Sequence, residues 1–195
     1  MCGIVGYIGE RNATPLLVEG LRALEYRGYD SAGIAVLRDG ELHVQKAKGR
    51  LSVLEERLQS APLSGCPGIG HTRWATHGEP SDANSHPHTS MLGDIAVVHN
   101  GIIENYQDLK AELAAEGCMF RSETDTEVVA HLIHKYYQGD LLAALLSAVK
   151  RLRGAYALAV ICAGNPDEIV CARRNSPLVL GAGDGENFLA SDIPA

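Results

Sequence analysis

Three groups of residues have types and positions that could carry out acyl transfer together. Cys2 stands directly behind the initiator, and its small side chain permits removal of Met1. The thiol and a free α-amine would then share one residue. Their reference pKa values are about 8.5 and about 8, so the amine can take the thiol proton near neutral pH. Nucleophile and base become one residue, the N-terminal variant of nucleophile activation. An acyl-transfer intermediate also needs donors aimed at its oxyanion. In His99-Asn100-Gly101, placed where a strand is expected to end and a helix to begin, the Asn side-chain amide and a Gly backbone N–H could meet on one oxygen. The plainer reading of Asn-Gly is a turn. A substrate α-carboxylate calls for a cationic fork, which Arg73 offers, followed by Trp74, Thr76 and His77; an α-ammonium calls for a carboxylate, which Asp125 offers. Thr124 with Glu127 also fits a capping box, and that helix-start reading is compatible with a ligand role for Asp125.

These residues must be positioned by one domain. The 195 residues suit one substantial core, and 46 % hydrophobic with 21 % charged residues is the balance of a globular protein. A net charge of −7, with two Phe and one Trp, gives nucleic acid no basic, aromatic-lined surface. Neither a basic leader nor a membrane-length apolar run is evident, so a cytoplasmic location is expected. Five cysteines at irregular spacing suggest neither a disulfide framework nor a thiolate zinc site.

Periodicity predicts strands over 2–9, 32–37, 41–47, 68–72 and 95–99, and helices over 14–26, 51–58, 104–116, 126–137 and 141–152. Asp39-Gly40 marks a hairpin. Four further strands are expected at 155–161, 168–172, 178–180 and 187–190. Residues 73–90, rich in His, Pro and Gly, read as a long loop of the functional or mobile kind. Strands open and close the chain while helices cluster between them. That order favours two antiparallel-rich sheets with covering helices, an α+β fold.

Six motifs carry a resemblance: Cys2-Gly3-Ile4-Val5-Gly6, Tyr26–Gly33, His71-Thr72-Arg73-Trp74-Ala75-Thr76-His77-Gly78, His86-Pro87-His88, His99-Asn100-Gly101 and Thr124-Asp125-Thr126-Glu127. In order and spacing the chain resembles the glutaminase domain of the glucosamine-6-phosphate synthases, class II glutamine amidotransferases of hexosamine biosynthesis. The resemblance implies an N-terminal-nucleophile hydrolase αββα sandwich of two antiparallel sheets, with residues 1–195 as one such domain. It implies that Cys2 is the nucleophile and that Asn100 and Gly101 form the oxyanion hole. Arg73, Thr76 and His77 would hold the glutamine α-carboxylate, Asp125 would lie near its α-amino group, and Trp74 would belong to a closing loop. Arg27 would brace the N-terminal strand. No metal or organic cofactor is implied. The implied partners are L-glutamine and a sugar-phosphate synthase domain on the same chain that uses the ammonia to convert fructose 6-phosphate.

Against that resemblance the sequence stops at Ala195, before the last strands and the synthase domain, leaving a sheet edge that could support a homodimer. Ser85 stands where Ala is usual. Alternatives remain. The amidophosphoribosyltransferases share an early Cys, an RG loop and an HNG segment, but usually carry Tyr-Ser-Thr where this chain has Trp74-Ala75-Thr76. The dense histidines 71, 77, 86, 88 and 99 could bind zinc, and a catalytically silent domain is a third reading.

Overall fold

The computed structural model describes residues 2–195, so the expected removal of Met1 concerns a residue outside the described range. Ten strands form two antiparallel sheets. The six-stranded sheet runs in the order β3 (Glu41–Lys48), β2 (Ser31–Arg38), β4 (Gly68–Arg73), β1 (Gly3–Ile8), β10 (Asn187–Ala190), β9 (Val179–Ala182). The four-stranded sheet runs β5 (His88–Thr89), β6 (Ile95–Ile103), β7 (Gly154–Cys162), β8 (Asn165–Arg174). Helices α1 (Ala13–Leu24) and α2 (Leu51–Ser60) cover the first sheet; α3 (Tyr106–Ala115), α4 (Glu127–Tyr136) and α5 (Leu141–Val149) cover the second.

The period-2 alternation of the strands explains the four layers. Ile4, Ala35, Leu37 and Ile69 from one sheet meet Ala96, Val98, Ala157, Ala159 and Ile161 from the other in a central apolar layer. Their alternate neighbours point the opposite way. Val5, Ile34 and Val36 pack under Leu17, Leu21 and Leu54, whereas Val97, Leu158 and Val160 pack under Val128, Leu132 and Ile133. These central strands are therefore buried on both faces and read as continuous apolar runs. The αββα sandwich is the architecture expected from the sequence.

Local chemistry sets the element ends. Asp39 and Gly40 both take positive φ (54° and 78°), the geometry of the tight hairpin turn between β2 and β3. Asn12 caps α1 through Thr14 N–H (3.2 Å), and Asp140 caps α5 through Ala143 N–H (2.9 Å).

Two expectations are corrected. His99-Asn100-Gly101 is neither a strand end nor a turn: β6 continues to Ile103, because β7 pairs with it throughout, Asn100 opposite Ala157 and Gly101 opposite Tyr156. Gly101 is needed there for another reason. Its φ is +126°, and a Cβ would lie 2.1 Å from the Ala155 carbonyl oxygen. The capping box is also absent. Thr126 precedes α4 without a side-chain cap, and Thr124 Oγ1 pairs with Ser122 Oγ (3.0 Å) and His88 Nε2 (3.0 Å).

Glu127 instead holds the preceding turn. Its carboxylate accepts from Arg121 N–H (2.8 Å), Ser122 N–H (2.7 Å) and Ser122 Oγ–H (2.6 Å). Burial disfavours the charge, but these donors and His131 outweigh it and hold the pKa down to about 2, against an ordinary 4.5. Because the folded value is depressed, the associated stability is present above pH 4.5 and is lost as pH falls through 2. Glu127→Gln puts an amide NH2 among backbone donors and is expected to cost about 2–4 kcal/mol at pH 7. Urea unfolding at pH 7 and pH 3 checks this: the wild-type advantage should shrink at the lower pH.

Candidate active site

Cys2 lies immediately before β1, near the middle of the six-stranded sheet, and opens onto a cleft of about 390 Å³. The size suits a small metabolite. Its thiol accepts from Trp74 N–H (3.2 Å) and lies 3.5 Å from Trp74 O. Burial pushes the thiol pKa up, while the Trp74 hydrogen bond and the positive charge of Arg73 pull it down. The net shift is upward. A thiol so placed needs a base to be reactive at neutral pH.

Across the cleft stands Asn100, on β6 of the other sheet. Its Nδ2 donates to Cys2 O at 3.0 Å, and its Oδ1 is 3.0 Å from His71 Nε2. Gly101 follows on the same wall. The segment after β4 supplies another side. Arg73 Nη2 donates to the carbonyls of His77 and Gly78 (3.0 Å to the latter). Arg73 Nη1 is buried and has no partner among the described residues. Burial lowers the guanidinium pKa, opposed by Cys2, Asp30 and Asp125, yet a guanidinium stays charged in proteins. Asp125 lines the same cleft, with Oδ2 fixed by Ile103 N–H at 2.8 Å.

Of the residues expected at the site, Cys2, Asn100, Gly101, Arg73, Trp74, Thr76 and Asp125 share the cleft wall. The His77 ring stands edge-on to Tyr106 with centroids 5.3 Å apart, and His77 meets the site through its backbone carbonyl on Arg73 and through Nδ1, 3.3 Å from the hydroxyl of the cleft residue Thr76. The loop is tied down. Asp30 Oδ2 accepts from Ala75 N–H (2.8 Å), and Asp30 N–H donates to Arg73 O (3.0 Å). Gly28 lets the two backbones approach, since a Cβ there would sit 2.8 Å from Arg73 C. Trp74 remains 46 % exposed, edge-on to Tyr29. Further along, Lys46 Nζ donates to Ser85 O (2.8 Å), and Asp82 accepts from Lys48 N–H (2.7 Å) and Arg57 (2.8 Å). The long segment 73–90 is therefore anchored at several points. Arg27 reaches β1 indirectly: it donates to Asp192 (2.8 Å) and Ser191 O (3.4 Å), while Ser191 Oγ accepts from Ile4 N–H (3.0 Å).

Sequence reasoning missed two parts of the site. The turn Asn175-Ser176-Pro177 after β8 closes one side of the cleft, with Asn175 at φ 58° and bridged to Tyr156. Its turn-forming composition was the available signal. The second is the arrangement of the histidines, read from the sequence only as a possible zinc group: four of them form a buried block of imidazoles behind Asn100. His71 stacks on His86 (4.1 Å), His86 meets His88 edge-on (4.7 Å), and His99 Nδ1 is 2.8 Å from Thr126 Oγ1. Burial drives all four toward the neutral form, His71 to about 3. Among the described residues, no group of three His, Cys, Asp or Glu is arranged to hold a metal ion.

The sequence pattern of the glutamine amidotransferase domain matches residues 71–195. The chain belongs to the glutamine amidotransferase domain family. Relatives of this domain include proteins named glutamine–fructose-6-phosphate aminotransferase (isomerizing). Those from Caldanaerobacter subterraneus and Symbiobacterium thermophilum are each 64 % identical, and one from Thermus thermophilus is 62 % identical. Each match covers 100 % of this chain and 32 % of the relative, so the chain spans about a third of their length. Among solved structures, the glutamine phosphoribosylpyrophosphate amidotransferase from B. subtilis superposes with a TM-score of 0.84 at 30 % identity, covering 97 % of this chain and 42 % of that one. A class-II domain protein from Silicibacter pomeroyi shares the fold at 16 % identity, with a TM-score of 0.67. The fold is that of the N-terminal-nucleophile hydrolases, as expected. No helix among the described residues is long and apolar enough to cross a membrane.

Proposed function

We propose that this chain, as one type 2 amidotransferase domain, hydrolyses L-glutamine to glutamate and ammonia with Cys2 as nucleophile. The observation that carries the reading is the convergence of the Cys2 thiol, the Asn100 amide and the buried Arg73 fork on one cleft. With Met1 removed, the α-amine of Cys2 takes the thiol proton as sulfur attacks the side-chain carboxamide carbon. Asn100 and the Gly101 backbone steady the oxyanion. The C–N bond breaks, the amine returns its proton to the leaving nitrogen, and ammonia departs. Water then cleaves the γ-glutamyl thioester to glutamate and free thiol. Arg73, with Thr76 beside it, pairs with the substrate α-carboxylate through Nη1, and Asp125 pairs with the α-ammonium. Trp74 covers the substrate, and His77 acts from behind Arg73.

The ammonia would serve a sugar-phosphate synthase domain that converts fructose 6-phosphate to glucosamine 6-phosphate, a reading supported by the relatives at 64 % identity. The test is ammonia release by two preparations verified by intact mass, one beginning at Cys2 and one with a permanent extension ahead of it. Turnover is expected from the first alone. Equal rates would remove the α-amine from the mechanism, and no turnover by either would leave a catalytically silent domain.

A further inference from the structure

The Asn100 side-chain amide is held at both ends by the surrounding protein, and the cause of its orientation lies one residue layer deeper. His71, on β4, is 1 % exposed, and its Nε2 lies within bonding distance of two oxygens, His99 O at 2.9 Å and Asn100 Oδ1 at 3.0 Å. A backbone carbonyl accepts only. The contact with His99 O therefore requires Nε2 to carry the proton. That proton then faces Asn100, so the atom Asn100 turns toward His71 is an acceptor, Oδ1. The opposite end of the amide, Nδ2, must face Cys2, where one N–H meets Cys2 O at 3.0 Å. The second N–H is left for the cleft.

We propose that His71 is a positioning residue that sets the flip state of the Asn100 amide and so aims its donor at the oxyanion. The alternative flip would present Oδ1 to Cys2 O and to the developing negative charge, two repulsive contacts, and NH2 to the Nε2–H of His71, a third. The ring is backed by a second imidazole. His71 stacks on His86 at 4.1 Å, and His86 Nδ1 accepts from His99 N–H at 3.2 Å, which leaves the His86 proton on Nε2, 3.5 Å from Thr126 Oγ1. The arrangement fixes Asn100 without His71 touching the substrate, and it rests on the oxyanion role proposed above for Asn100.

Two variants and two readouts test it. His71→Leu removes the donor while keeping an apolar side chain of similar bulk; His71→Gln restores an N–H at similar reach. In the glutaminase assay H71L is expected to lower kcat about 10–100-fold with KM within about twofold, as for a partly disordered oxyanion donor, and H71Q to recover most of it. Asn100→Ala combined with H71L should be no slower than Asn100→Ala alone. In parallel, the Asn100 side-chain amide resonances, assigned by their loss in N100A, should shift in H71L and return toward wild type in H71Q. A kcat for H71L within twofold of wild type, multiplicative losses in the double variant, or unmoved Asn100 amide resonances would each overturn the inference. Absence of glutamine turnover in the wild type would instead sink the glutaminase reading, and the resonances would still decide whether His71 orients Asn100.

Discussion

Cys2→Ala is expected to leave a folded chain that releases ammonia from glutamine at least about 10⁴-fold more slowly than the processed wild type. The size follows from the role: with the nucleophile gone no thioester forms, and the remaining donors and binding groups supply only residual catalysis. The fold should survive because Sγ bonds only to the Trp74 backbone, at 3.2 Å from its nitrogen and 3.5 Å from its oxygen, among the described residues. Cys2→Ser separates nucleophilicity from shape. It keeps a donor and acceptor at that position, but a hydroxyl is far harder to ionise than a thiol already raised by burial, so it should fall close to Cys2→Ala. Steady-state ammonia release beside a thermal melt of each variant decides. Activity of Cys2→Ala within tenfold of wild type would exclude thiol chemistry.

Asn100→Ala is expected to lower kcat by about 10²–10³-fold, the usual cost of removing one oxyanion donor, with a smaller change in KM. The reason is geometric: the amide bridges from β6 to Cys2 O, on the other sheet, and its second N–H is left for the cleft. Asn100→Asp is the sharper control. It keeps the shape and the acceptor facing His71, but replaces the donor with an oxygen beside Cys2 O and the reacting centre, and should be at least as slow. A loss below tenfold for Asn100→Ala would take the residue out of oxyanion stabilisation.

Much of this was legible along the chain because the informative signals were local. Asp39-Gly40 forces its own hairpin, and the apolar runs of β1, β6 and β7 are visible in order. The failures share one cause. Asn-Gly at 100–101 has turn chemistry, but pairing with β7, which follows three helices later in the chain, extends the strand through it. Thr124 and Glu127 have capping-box spacing, yet Glu127 finds better donors in the turn at 121–122 and Thr124 finds His88, 36 residues away. The imidazoles at 71, 86, 88 and 99 are visible as a dense group, but they come from β4, the loop, β5 and β6, and their stacking behind Asn100 is set by how those segments pair and not by spacing. Tertiary partners decided these positions, and local pattern carries no record of them.

The nucleophile and the oxyanion donors belong to different sheets, and between those sheets lies the layer that contains Ala96, Ala157 and Ala159. The gap across which sulfur must meet carbon is thus a thickness, fixed by how many methyl groups stand between two walls at some remove from any substrate. Padding sets the reach: a single extra methylene behind β6 can spoil the alignment without touching one reacting atom.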